Sequence, residues 1–141
     1  MEFDKRECTY RIVKVYSVFD AGRVINAGTA RGQVVGGVNM GLSFASREGF
    51  LFNQAGVVLN PQLRSYKITR FGEQPEYAVD FVETPFVEGP YGARGIAEHG
   101  TIGSPGSLAN ALSIAAGVEL NELPLTPELI WRARGAAHDL I

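Results

Sequence analysis

This sequence of 141 residues contains a single cysteine, Cys8, and only two histidines. A lone cysteine closes no internal disulfide, and one thiol cannot hold an iron–sulfur cluster. Cys8 therefore reads as a strand residue in a reducing, cytoplasmic compartment, not as a nucleophile. An excess of either charge is also absent. The formal net charge is −2, which argues against a nucleic-acid partner or a polybasic membrane surface. No apolar run approaches the length of a membrane span. The start, Met1-Glu-Phe-Asp-Lys-Arg-Glu, lacks the apolar stretch of a signal peptide.

What the sequence does contain looks globular. Apolar residues make up 45% and charged residues 20%, and residues 1–141 are expected to form one domain. A chain of this size buries about two thirds of its unfolded surface.

The element order predicts an α+β fold with a mixed sheet, a glycine-rich helix and two C-terminal helices. Residues 9–19 are rich in β-branched and aromatic types and read as a strand, ended by turn chemistry at Asp20-Ala-Gly22. Residues 29–48 read as a helix with Val34, Val38, Leu42 and Ala45 on one stripe. Gly32, Gly36, Gly37 and Gly41 interrupt it, each costing about 1 kcal/mol against alanine. Close approach of another backbone or a ligand accounts for them. Two short helical pieces with a break between them is the other reading. Residues 50–59 suggest a strand or hairpin around Asn53–Gly56, and Asn60-Pro61 begins a turn. Ser65–Arg70 and Tyr77–Glu83 read as short strands. Ser104-Pro105 looks like a helix start, for a helix over about 105–116 that Gly117 ends. A last helix starts at Thr126-Pro127-Glu128 and stops near Gly135.

The segment with the most chemistry is Gly-Pro-Tyr-Gly-Ala-Arg-Gly-Ile-Ala-Glu-His-Gly, residues 89–100. It sets four glycines around one carboxylate, Glu98, one guanidinium, Arg94, and one imidazole, His99. Glycines permit positive φ and close ligand approach, so the loop offers bare amides beside an acid/base group. Ordinary turns use the same residues. The spacing matches neither the Walker A loop nor the dinucleotide fingerprint. His99 reads as a surface or turn histidine and His138 as solvent-facing.

Six stretches in fixed order resemble a known family. They are Asp20-Ala-Gly-Arg-Val-Ile-Asn26, Gly32-Gln33-Val-Val-Gly36-Gly37-Val-Asn-Met40-Gly41-Leu42, Tyr66-Lys-Ile, Gly92-Ala-Arg-Gly-Ile-Ala-Glu98, Ala109-Asn-Ala and Leu123-Pro-Leu-Thr-Pro-Glu128. Together, across roughly residues 8–132, they are similar to the C-terminal portion of the molybdopterin-binding large subunit of the xanthine dehydrogenase and aldehyde oxidase family. The resemblance implies hydroxylation of a heterocycle or aldehyde with oxygen from water. It also implies a molybdenum held by the dithiolene of a pterin, which needs no cysteine or histidine ligands from the protein. In the family a glutamate acts as base toward the metal-bound hydroxyl, and Glu98 occupies that place. By the same analogy the backbone of Arg94, Gly95, Ile96 and Ala97 lies against the cofactor. Gln33 and the glycines after it read as helix packing.

Several positions depart from the family pattern. Ala97 stands for a glycine, His99-Gly100 for Pro-Pro, Asn26-Ala27 for Asn-Pro, and Arg94 for a lysine. Family subunits are several times longer. The resemblance therefore implies that this chain alone retains no molybdopterin, and that the cofactor belongs to a complete enzyme with an upstream molybdopterin-binding chain as partner. A truncated product, a separately encoded piece and an expressed fragment all fit. A non-catalytic remnant or assembly module fits as well, and its exposed apolar faces predict a homo-oligomer. A third reading is a small-anion or nucleotide binder that uses the glycine loop near a helix start, taken to be Ser104-Pro105.

Overall fold

The computed structural model describes residues 1–138, with side-chain surroundings given through residue 136. The expectation for His138 lies outside those described side chains. Strands β1 (Glu2–Asp4) and β2 (Thr9–Arg11) form an antiparallel hairpin, with Phe3 opposite Tyr10. Strands β3 (Lys14–Asp20) and β4 (Glu76–Val82) form a parallel pair, with Val15 opposite Tyr77 and Phe19 opposite Phe81. The helices are α1 (Ala27–Ser46), the short α2 (Leu63–Tyr66), α3 (His99–Ala116) and α4 (Pro127–His138). This is the α+β order expected, with the antiparallel and parallel pairings in two separate two-stranded sheets and not in one mixed sheet.

Helix α1 is the spine. Asn26 starts it with an extended backbone, and its side-chain oxygen accepts from the Thr29 amide at 3.0 Å, which satisfies one otherwise unpaired donor. The predicted stripe Val34, Val38, Leu42 and Ala45 is buried along its length and meets Leu108 and Leu112 of α3 and Ile130 of α4. The inner faces of β3 and β4 cover the same core through Val15, Phe19, Tyr77, Val79 and Phe81.

The helix is continuous, so the glycines do not break it, and they divide by face. A β-carbon on Gly37 would lie 3.2 Å from the Gly100 α-carbon, and one on Gly41 would lie 2.8 Å from the Thr101 carbonyl oxygen. These two let α3 come into backbone contact, as close packing requires. Gly32 and Gly36 face open space within this chain.

Several expectations are corrected. Cys8 is not a strand residue. It sits in the turn between β1 and β2 at φ 53°, buried in the core. The strand over 9–19 is two strands, because β2 pairs back on β1 while β3 joins β4. Ser65–Arg70 is not a strand. The buried Asn60 side chain donates to the Gly49 carbonyl and accepts from the Leu51 amide, and this closes the chain into a compact turn. The helical turn Leu63–Tyr66 follows and ends at a left-handed Lys67.

Finally, α3 does not start at Ser104-Pro105. It begins at His99 and carries Pro105 inside. The Ser104 hydroxyl bonds back to the Gly100 carbonyl instead of capping. Pro105 has no amide to offer the Thr101 carbonyl one turn earlier, and that carbonyl lies against Gly41. The helix start therefore lies at His99, directly after the glycine loop, and not at Ser104. The last helix starts at Pro127 as expected, with the Thr126 hydroxyl accepting from the Leu129 amide, but it runs past Gly135 to His138.

Candidate functional site

The turn that carries Glu98 is built in two halves. The first half is tightly packed and hydrogen-bonded. Gly89 has no room for a side chain, since a β-carbon there would fall on the Ala93 carbonyl and the Phe86 ring. Tyr91 and Gly92 both take positive φ, and Gly92 and Ala93 donate to the carbonyls of Gly89 and Pro90. This tight turn is laid against the end of β3. Arg23 donates to the Gly92 carbonyl at 2.8 Å and Arg94 donates to the Ala21 carbonyl at 2.9 Å. Gly22, at φ 57°, permits this approach, because a β-carbon there would lie 2.5 Å from the Gly92 carbonyl oxygen.

Arg94 is a member of this scaffold. Its guanidinium lies over the Phe86 ring at 4.5 Å, and its Nε sits 3.7 Å from a carboxylate oxygen of Asp20. That Nε is buried and, among the described residues, has no hydrogen-bond partner. Asp20 is held below its ordinary carboxyl pKa, first by the Gly22 amide it accepts from, then by Thr84 and Arg94.

The second half, Gly95 to Glu98, is different. Among the described residues, the amides of Gly95, Ile96 and Ala97 donate to no carbonyl. The missing side chain of Gly95 meets nothing within 4 Å in this chain. Ala97 takes no positive φ, so the alanine that stands at this place is unstrained. Its carbonyl accepts from the Gln33 side-chain amide at 2.8 Å. Glu98 then caps α3 with its backbone, its carbonyl accepting from Thr101 at 3.0 Å, while its carboxylate makes no capping bond. Glu98 and His99 are exposed, and Gly100 is buried against α1.

The structure thus brings Glu98, Gly95, Ile96 and Ala97 onto one exposed turn, with Arg94 at its anchored end. A cavity of about 380 Å³ adjoins the first half, lined by Arg23, Phe86, Tyr91 and Gly92 among others. A larger one of about 490 Å³ lies between residues 119–124 and α4. Glu98 lines neither. Among the described residues no group of three His, Cys, Asp or Glu side chains is placed to hold a metal ion, and no helix is long and apolar enough to cross a membrane. Sequence reasoning missed two contacts here, the Gln33 bond to Ala97 and the Asp20–Arg94–Phe86 anchor. Phe86 precedes the turn closely in sequence, whereas Asp20 lies at the far end of β3 and has no local signal that pairs it with Arg94. Residue 33 has no local signal that pairs it with residue 97.

Comparison with known proteins places this fold. Residues 1–75 match the family model of the molybdopterin cofactor-binding domain. The chain is 34% identical to the xanthine dehydrogenase molybdenum-binding subunit of Escherichia coli O157:H7, over 88% of this chain and 17% of that protein. It is 33% identical to the nicotine 6-hydroxylase large subunit of Paenarthrobacter nicotinovorans, over 99% of this chain and 18% of that protein. The crystal structure of quinoline 2-oxidoreductase from Pseudomonas putida 86 superposes with a TM-score of 0.87 at 25% identity, over 94% of this chain and 17% of that chain.

The chain therefore belongs to the molybdopterin cofactor-binding domain family, that of the molybdenum-binding subunits of xanthine dehydrogenases and aldehyde oxidoreductases. It spans less than a fifth of the length of these relatives. The family model ends before the Glu98 turn, whereas the alignment with the nicotine 6-hydroxylase subunit covers nearly the whole chain.

Proposed function

We propose that this chain is the part of a molybdenum hydroxylase subunit that presents a base, Glu98, and a strip of bare backbone to the molybdopterin cofactor. One observation carries the reading. Three amides without a carbonyl partner and an adjacent free carboxylate share one exposed turn that is anchored at both ends.

The residues fit such a group. An anionic pterin asks for donors without bulk, and Gly95, Ile96 and Ala97 offer three amides beside an open glycine face. A cofactor that brings its own sulfur ligands to the metal suits a chain with one cysteine. When bound, the cofactor supplies the oxidation of a substrate carbon, with oxygen drawn from water. The chain's own residues handle placement and protons. The amides of residues 95–97 orient the group, and Arg94 anchors the strip through Asp20 and Phe86. A carboxylate oxygen of Glu98 accepts a proton as general base, a contribution of about 10²–10⁴-fold.

Less than a fifth of the relatives' length is present, so cofactor retention and turnover belong to this chain together with an upstream molybdopterin-binding chain in the cytoplasm. Elemental analysis tests this. The isolated chain is expected to carry no molybdenum, and the chain co-expressed with the remainder of such a subunit to carry about one per complex. Molybdenum bound by the isolated chain, or none in the assembled pair, contradicts the reading.

A second reading, a non-catalytic remnant or assembly module that associates with itself, draws on exposed apolar side chains. Tyr16 and Val18 stand on the outer face of β3, and Phe71, Val87, Ile102 and Ile114 stand almost bare. Such surface drives association, most simply into a dimer. Sedimentation as a strict monomer at high concentration contradicts that part.

A further inference from the structure

We infer that Gln33 is a positioning residue for Glu98, fixing from helix α1 the peptide that immediately precedes the carboxylate-bearing residue. This inference rests on the reading of Glu98 as the base.

Gln33 is exposed, so burial does not explain it. It stands beside Val34, at the edge of the buried stripe of α1, and its side chain leaves that stripe to reach across the helix pair. Its Nε2 donates to the Ala97 carbonyl at 2.8 Å. That carbonyl belongs to the same peptide plane as the Glu98 amide, so holding it holds the point from which the Glu98 side chain departs.

The location of the bond matters as much as its length. Upstream, the nearest backbone anchor is the Arg94 amide on Ala21. Between it and Ala97, residues 95 and 96 donate to nothing described in the chain. Downstream, Gly100 packs on the α1 backbone and the Thr101 hydroxyl donates to the Gly37 carbonyl at 3.2 Å. Gln33 and Gly37 are four residues apart on α1, one turn along the same face. They therefore grip the chain on either side of Glu98, Gln33 at residue 97 and Gly37 at residues 100 and 101. Without the Gln33 donor, no described contact to another element holds the chain between the Arg94 amide and the α1 contacts of residues 100 and 101.

The test uses the full chain with two substitutions. Gln33→Met keeps length and apolar bulk but removes the donor, and Gln33→Lys keeps a donor. The probe is amide hydrogen exchange at Thr101, whose bond to the Glu98 carbonyl opens when the turn loosens. Gln33→Met is expected to speed exchange there about fivefold, the equivalent of one modest hydrogen bond, with Ala109 to Leu112 unchanged. Gln33→Lys is expected to exchange at the wild-type rate. In the assembled, cofactor-loaded enzyme, Gln33→Met is expected to lower kcat with KM unchanged, and Gln33→Lys to restore it.

Wild-type exchange in Gln33→Met, equal acceleration in both variants, or acceleration along the whole of α3 overturns the inference. A Glu98→Gln enzyme that keeps full turnover overturns the base assignment alone and leaves the exchange result standing, so the two failures are distinguishable.

Discussion

Gly100 of α3 lies so close to Val34 of α1 that a β-carbon added to it would fall 2.7 Å from the Val34 carbonyl oxygen and 2.7 Å from the Val38 amide nitrogen. Both obstacles are backbone inside a continuous helix, so neither yields easily. Gly100→Ala is expected to destabilise the fold by about 1–3 kcal/mol, the usual cost of overfilling a packed contact. It also pushes the Glu98 turn off α1. Urea unfolding gives the first effect as a lowered midpoint, and exchange at Thr101 gives the second.

Leu112 makes the complementary test. It is fully buried in the core cluster to which α1, α3 and α4 all contribute. Leu112→Ala is expected to cost about 2–5 kcal/mol through lost burial and the cavity left behind. Its exchange signature differs from that of Gly100→Ala, because the loss spreads through the core and does not centre on the turn. Equilibrium unfolding followed by circular dichroism measures it.

Asn26 caps α1 through a single bond to Thr29. Asn26→Ala is expected to cost about 1 kcal/mol. Differential scanning calorimetry reads this as a small drop in Tm, and an unchanged Tm contradicts the cap's contribution.

Tyr10 couples stability to alkaline pH. Its hydroxyl donates to the Leu125 carbonyl at 2.9 Å, and burial pushes its pKa up from 10.0 to about 12. The folded state therefore favours the neutral phenol. The stability this provides is complete below pH 10 and is lost as pH rises through about 12. Chemical denaturation from pH 9 to 12, steps of about one unit on the scale where Tyr ordinarily ionises, is expected to show a steeper decline than in Tyr10→Phe, where Tyr77, also raised by burial, still contributes. Identical slopes for both proteins contradict it.

The sequence showed most where a rule acts within one element. The stripe Val34, Val38, Leu42 and Ala45 was legible because α1 repeats its buried face at helical spacing and the face is filled without gaps. The stop at Gly117 was legible because only a left-handed residue ends α3 there. What failed involved partners distant in sequence. Ser104-Pro105 obeys every local rule for a helix start, yet packing on Gly37 and Gly41 carries the helix back to His99. The Ser65–Arg70 alternation lost to the side-chain bonds of Asn60. Likewise Gly32 and Gly36 are indistinguishable from Gly37 and Gly41 until α3 is in place. In the site, Glu98 and its neighbours were legible as a motif, whereas the residues that hold them, Gln33 above all, were not.

Turnover by the assembled, cofactor-loaded enzyme carrying Glu98→Gln is the most direct measurement. The amide keeps the side chain's size and its exposed place at the head of α3 but cannot take up a proton near neutral pH. The account predicts molybdenum content equal to that of the wild type and a kcat lower by about 10²–10⁴-fold. Wild-type kcat at equal molybdenum content contradicts it.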